Sequence, residues 1–280
     1  MNPFLTKKYG FIESKIDENI HYILGDGMLS PAVIMPNGHG WGDFLPTDDL
    51  QNKNGLETMN CSNYGTLHAL ATLGKKKFGA QFQTALSERY TGVMTGTTQG
   101  GNDPHHVIET IRTVCGVIPE VFLPFNAAVT DWQDYYCPNP MSYQWYAVGK
   151  HWLKKYKINH QWVYIPAPGS SAIVPLKTAL KFSPIGVAVF AWNQGPDGLY
   201  YSRDSFTFNH WVTLYDYVEG QYWCVFDSYV QTHKKLNWNF SFGQAKGYGL
   251  DFNVGGATLG DAIEPVYLPY AFYRLGALFK

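Results

Sequence analysis

Helix patterns dominate the first part of this chain and strand patterns the last part, and that order limits the folds open to it. Tyr64, Leu67 and Ala71 recur at helical spacing with Leu70 beside them, so a helix is expected from about Cys61 to Lys77, where Gly79 stops it. A second helical stretch is expected over Gln81–Tyr90. Asn102-Asp103-Pro104 opens a third, with Val107, Ile108, Ile111 and Val114 on one face and Gly116 at its end. Tyr143–Lys155 and Ser171–Lys181 also read as helices. Strand patterns follow: His160–Ile165 alternates, Pro184–Trp192 is a continuous apolar run, and Asn193–Gly198 is a turn. Trp211–Tyr229 reads as a β-hairpin around Glu219-Gly220. Segregated helices and strands point to an α+β fold with two facing lobes. Residues 1–50 read as irregular, with Tyr22-Ile23-Leu24 as a short strand and a Gly-rich loop over Gly38–Pro46.

Composition narrows the function. Hydrophobic content of 45% with only 15% charged residues supplies a packed core and excludes a disordered chain. A net charge of −1 carries no nucleic-acid footprint. No apolar run reaches the length of a membrane span, and the N-terminus lacks the apolar segment of a secretory signal, so the cytoplasm or a virion is the expected location. The 20 Tyr and 9 Trp exceed what a core needs, so some are expected to line a groove or an assembly contact with like or unlike chains. The cysteines Cys61, Cys115, Cys137 and Cys224 are dispersed and form no CxxC pair, which argues against a zinc or disulfide framework. No cofactor or metal is expected.

Chemistry converges on Cys61. A polar run ends there and a helix begins, so its thiol would meet free N–H groups and the helix dipole, which lower a thiol's pKa. The competing reading is a buried cysteine acting as a small hydrophobe. His210 opens the first strand of the hairpin and Asp227 closes the second, so the pairing brings them side by side. A thiolate nucleophile, an imidazole that exchanges the proton and a carboxylate that orients the ring form a triad. An oxyanion also needs donors, for which the Cys61 backbone N–H and the amide of Gln51 are candidates.

These residues resemble a papain-like cysteine peptidase, in a divergent branch of the kind found in phage and bacteria. The likeness rests on motifs in order: Gln51 before Cys61; Gly100-Gly101; Gly116-Val117-Ile118-Pro119-Glu120 with Leu123-Pro124-Phe125; Phe182–Val189; Asn209-His210-Trp211-Val212; and Tyr222–Tyr229. It covers about residues 45–250. The resemblance implies a helical left lobe, a β-rich right lobe and a cleft between them. It makes Cys61 the nucleophile, His210 the acid/base and Asp227 the orienting group where the family usually has Asn. It also implies substrate backbone pairing at Gly101 with Gly100 shaping the approach, a substrate-side place for Asn209, and Tyr229 as the aromatic shield of the His–Asp contact. A peptide or protein would be the substrate.

The departures are concentrated ahead of the nucleophile. The usual box reads Met59-Asn60-Cys61-Ser62-Asn63, and Gln51 lies farther from Cys61 than the family places it, with Asn54 the nearer amide. Residues 1–44 are expected to form an arm or a short occluding segment, and residues 251–280 an aromatic extension that packs on the domain or on a partner. Three functions compete: hydrolysis of peptide or isopeptide bonds, a papain-like structural or binding module such as a virion component, and transglutaminase-type acyl transfer. Elsewhere, His39 and Asp43 read as loop residues, His105-His106 as solvated caps, His68, Cys115 and Cys224 as packing, Cys137 as exposed, and Asp131 and Asp134 as a solvated loop pair.

Overall fold

In the computed structural model the described residues are 9–16, 35, 38–138, 142–165, 172–203 and 208–253. The expected strand at Tyr22–Leu24 and the aromatic residues beyond 253 lie outside them.

The first helix, α1 (Cys61–Phe78), begins and ends where its sequence says it should, and Gly79 takes φ 70° after it. It is the axis of the molecule, with Leu67, Leu70 and Leu73 in the core. Asn60 precedes it but does not cap it. Its amide instead donates to the Glu88 carbonyl at 2.9 Å and the Tyr135 hydroxyl at 3.0 Å, while its oxygen accepts from Asn63 and Thr97. A residue type that favours helix starts is here a tertiary tether.

The expected helix over 81–90 is displaced. The helix is α2 (Glu88–Met94), capped by Ser87, whose hydroxyl accepts from the Tyr90 N–H at 3.0 Å. The preceding residues are extended because they pair with another segment: Ser87 N–H bonds the Ile118 carbonyl and Glu120 N–H bonds that of Ala85, both at 2.9 Å. Helix α3 (Pro104–Thr110) is capped by Asp103 and continues as one π turn over Ile111–Cys115. Short α4 (Trp132–Tyr136) was not expected; Asp131 caps it through the Asp134 N–H, so this acidic pair is a helix start. Helices α5 (Tyr143–Lys155) and α6 (Ile173–Leu180) fall where the sequence indicates.

The strands are β1 (Tyr156–Val163), β2 (Ile185–Val189), β3 (Asn193–Gln194), β4 (Tyr200–Tyr201), β5 (His210–Val218), β6 (Tyr222–Phe226), β7 (His233–Asn237) and β8 (Phe242–Phe252). They form one sheet in the order β1-β8-β2-β5-β6-β7-β4-β3, antiparallel except for a single parallel bridge between β4 and β7. The expected hairpin is β5–β6, paired from Thr213↔Phe226 to Val218↔Tyr222. The buried run of β2 is central, pairing with β5 as Ala188↔Trp211 and Val189↔His210. Residues of α1 and α3 meet Val187, Val212, Leu214 and Val225 of the sheet in one core.

The contact of α1 with β5 sets the position of the site. A Cβ on Gly65 would lie 2.7 Å from the Trp211 ring, so glycine lets helix and strand approach closely. Thr213 then donates its hydroxyl to the Gly65 carbonyl at 2.8 Å. The helix that begins at Cys61 is thus fastened to the strand that begins at His210.

Candidate active site

The hairpin brings His210 and Asp227 together as its geometry requires. His210 Nε2 lies 2.7 Å from Asp227 Oδ1, and both side chains are 1% exposed. The other carboxylate oxygen lies 2.7 Å from the ammonium of Lys234, itself buried, which also donates to the Val230 and Gln231 carbonyls. Burial pushes the Asp227 carboxyl up, but His210 and Lys234 together outweigh it and hold its pKa below the usual carboxylate value. An ionised carboxylate only accepts, so Nε2 carries a proton toward it. Nδ1 is buried and has no hydrogen-bond partner among the described residues. Three aromatic rings surround the imidazole: Tyr9 and Tyr229 with centroids at 5.3 Å and Trp192 at 5.8 Å.

Cys61 sits at the start of α1, fully buried among Phe11, Trp162, Ala188 and Trp211, with Phe208 at the edge. The backbone of Trp211, next in sequence to His210, hydrogen-bonds the sulfur. The expected lowering of the thiol pKa is not found. Burial drives it far up, and the Glu57 and Asp227 carboxylates add to that against the Trp211 and Ser62 hydrogen bonds. A helix N-terminus stabilises a thiolate only modestly, and complete loss of water outweighs it.

The cover is the chain's own N-terminal segment. Residues 9–16 run along the edge made by Gly101 and Asn102: Asn102 N–H donates to the Gly10 carbonyl at 2.8 Å and Ile12 N–H to the Asn102 carbonyl at 3.0 Å, in a parallel bridge centred on Phe11. Backbone pairing expected at Gly101 is made one residue on, with this segment as the partner. Gly101 itself closes a tight turn with Thr98 at φ 99°, and Gly100 N–H bonds the Thr98 hydroxyl. Phe11 stacks on Trp211 at 5.8 Å with the rings 5° apart. Gln244 clamps Ser14 on both sides, accepting from its N–H at 2.9 Å and donating to its carbonyl at 2.5 Å, and the Ser14 hydroxyl bonds Asp103.

Gln51 is fully buried within this group. Its amide nitrogen lies 2.8 Å from the Tyr229 hydroxyl, 2.9 Å from Glu57 Oε1 and 3.3 Å from the Tyr9 carbonyl oxygen, and its oxygen accepts from Ser228 at 2.8 Å. The nine residues between Gln51 and Cys61 do not keep its amide from Tyr9 and Tyr229, the two rings that flank His210. Asn54 is exposed and its amide donates to the Asn126 and Val129 carbonyls, away from this group. The Asn209 side-chain oxygen accepts from the Ala191 N–H at 3.0 Å, closing the end of the β2–β5 pair. Tyr229 packs edge-on against His210 and donates its hydroxyl to Glu57 Oε2 at 2.7 Å.

Sequence reasoning missed Lys234 and Glu57. Lys234 is the inward member of an alternating strand, one residue after His233, and that register was the available signal. Glu57 is a carboxylate in the polar run just before the nucleophile candidate, with no spacing rule to mark it.

The other candidates fall apart from the site. His39 Nδ1 lies 2.5 Å from Asp216, not Asp43. His68 packs edge-on against Phe226, and its pKa is lowered to about 4 by burial. All four cysteines are free; Cys115 is buried, Cys137 exposed, and Cys224 half-buried rather than buried. His105 is not a solvated cap. With Glu109 and His160 it forms a trio spaced for a metal ion, and the Lys246 amine lies 3.2 Å from His105 Nδ1 and 3.4 Å from His160 Nδ1, over the face of Trp162. Burial pushes the Lys246 pKa well below its ordinary value, which drives this amine toward its neutral form beside the two rings. His106 Nε2 meets the Thr95 carbonyl at 3.1 Å.

No family model and no curated protein matches the chain. Among solved structures it is similar to digestive procathepsin L2 proteinase from Tenebrio molitor larval midgut, at TM-score 0.58 and 15% identity, over 86% of this chain and 78% of that one. The proform of the ragweed pollen cysteine protease Amb a 11 follows at TM-score 0.47 and 14% identity, over 74% and 64% of the two chains. The cysteine protease and lectin-like domains of Clostridium difficile Cwp84 match at TM-score 0.49 and 12% identity, over 76% and 52%. The fold is therefore that of the papain-like cysteine proteases, as the ordered motifs lead one to expect. No helix among the described residues is long and apolar enough to cross a membrane.

Proposed function

We propose that the protein is a thiol-dependent peptidase acting through Cys61, His210 and Asp227, with residues 9–16 as a removable cover. The observation that carries this reading is the buried His210–Asp227 pair at 2.7 Å, whose remaining ring nitrogen has no hydrogen-bond partner among the described residues, together with a Cys61 sulfur hydrogen-bonded by the backbone of Trp211, the next residue of the same strand. In that reading the cover leaves, water and substrate enter, and His210 Nδ1 takes the Cys61 proton. The thiolate adds to the substrate carbonyl carbon, and the Gln51 amide with the Cys61 N–H stabilises the oxyanion. As the C–N bond breaks, His210 gives its proton to the leaving amine. A water then attacks the thioester, passing a proton to His210, and the acid product leaves with the thiol restored. Asp227 holds the ring and offsets the imidazolium charge throughout.

The second reading, a papain-like module without turnover, is favoured by the filled cleft and the neutral, buried thiol. Fluorogenic peptide libraries and a fluorescent amine acceptor, tried on the full chain and on Cys61→Ala, separate the readings. Cys61-dependent release of peptide supports hydrolysis, and Cys61-dependent amine incorporation points to acyl transfer. Turnover that survives Cys61→Ala rules out the proposed nucleophile. Absence of all turnover once the cover is displaced leaves the module reading.

A further inference from the structure

The segment in the cleft shows how little room the cleft has. Gly10 takes φ 98°, and a Cβ there would overlap the Met59 carbonyl. On the opposite side a Cβ on Gly101 would overlap the Gly10 carbonyl. Between Met59 and Gly101 the channel is therefore one bare backbone wide. Met59 is itself unusual: it holds φ 55°, a conformation strained for a non-glycine residue, and in doing so presents its carbonyl to Gly10. One residue along, the channel opens into an apolar slot. Phe11 fills it against Trp162, Ala188 and Trp211, with Phe208 at the rim. On the other side Tyr9 lies against His210 and Tyr229.

We infer that the cleft selects peptide chains with a glycine at the constriction between Met59 and Gly101 and an aromatic side chain in the neighbouring slot. This rests on the peptidase reading only for turnover; recognition follows from the shape of the cleft. Residues Tyr9-Gly10-Phe11 are then the chain's own imitation of its ligand, and aromatic–glycine–aromatic keeps the same pattern whichever way a ligand runs. Met59 and Gly101 set the glycine requirement through their backbones, and Trp162, Ala188 and Trp211 set the aromatic one.

The test uses the full chain carrying Gly10→Ala, which excludes its own segment from the constriction, and follows alkylation of Cys61 by iodoacetamide with peptide mapping. Three peptides identical except for a central Tyr-Gly-Phe, Tyr-Ala-Phe or Tyr-Gly-Ser are added as competitors. The glycine–phenylalanine peptide should protect Cys61 at concentrations about tenfold or more below the other two, as expected for one overlapping methyl group or one empty apolar slot. Equal protection by the alanine peptide, or protection by none, overturns the inference. Protection without cleavage removes the peptidase reading and leaves the selectivity standing, whereas equal cleavage of all three does the reverse. Ser14→Ala with Gln244→Ala, which releases the segment at its other anchor, serves if Gly10→Ala does not fold. A Cys61 that resists alkylation in both variants shows that the segment is not a displaceable occupant and also overturns it.

Discussion

Lys234 and Asp227 form a buried ion pair at 2.7 Å, and the same carboxylate holds His210 through its other oxygen. Removing one partner leaves a charge without its counter-ion in the interior. Lys234→Met or Asp227→Asn alone should therefore cost about 3–5 kcal/mol, while the double variant should recover much of that loss. Denaturant midpoints at constant slope measure it. Simple addition of the two costs would show that the pair is not coupled. The sign with pH follows from the depressed Asp227 pKa. Its contribution is present above the ordinary unfolded value of about 4 and is lost as pH falls through the folded value. The loss should be absent in the double variant.

The segment over Cys61 is held by backbone pairing to Asn102 and by the Gln244 clamp on Ser14. Cys137 is exposed and should alkylate in the native chain, while Cys61 should not. Gly10→Ala should raise the Cys61 alkylation rate by about tenfold or more, since the added methyl group overlaps Met59 and overpacking typically costs about 1–3 kcal/mol. Peptide mapping by mass spectrometry distinguishes the two thiols. An unchanged Cys61 rate would mean that burial by Trp162, Ala188 and Trp211 suffices without the segment.

The same two features show what could be read from the sequence and what could not. The hairpin carrying His210 and Asp227 was legible because strand alternation and a Glu-Gly turn fix which ends meet. The start of α1 at Cys61 was legible from its apolar spacing and from Gly79. The extended run before α2 was not, because Ala85 and Ser87 pair with residues of the 117–120 segment, a long-range choice that overrides local helix propensity. The thiol's protonation is not legible for a related reason. A helix terminus is visible in sequence, but the burial that dominates it comes from Phe11, fifty residues upstream, and from strands far downstream. That residues 10–12 lie on Asn102 could be learned only from the folded chain, because nothing local in either segment specifies the pairing.

The closeness of α1 to β5 gives a packing prediction. Gly65→Ala places a methyl group 2.7 Å from the Trp211 ring, between the helix of Cys61 and the strand of His210. Helix propensity favours alanine by about 1 kcal/mol, but displacing a fully buried tryptophan costs about 1–3 kcal/mol, so a net loss of stability is expected. Thermal unfolding would register it. A stabilised variant would show that Trp211 can move without cost.

His68 supplies a pH signature apart from the site. It is 2% exposed on α1, and neither ring nitrogen has a hydrogen-bond partner among the described residues. Burial lowers its pKa to about 4, partly offset by Asp49, Asp227 and Asp48. The unfolded chain binds the proton at the ordinary value of about 6.5, so the unfolded state takes up more protons between the two values. Stability is therefore complete above about pH 6.5 and declines as pH falls toward about 4, by a limiting amount on the order of 3 kcal/mol. His68→Leu removes the titrating group and keeps an apolar side chain beside Phe226. Its stability measured by denaturant at pH 7, 6, 5 and 4.5 should fall less steeply than that of the unmodified chain over this window. Parallel curves for the two proteins would mean that His68 finds a partner when protonated and is not held neutral by burial.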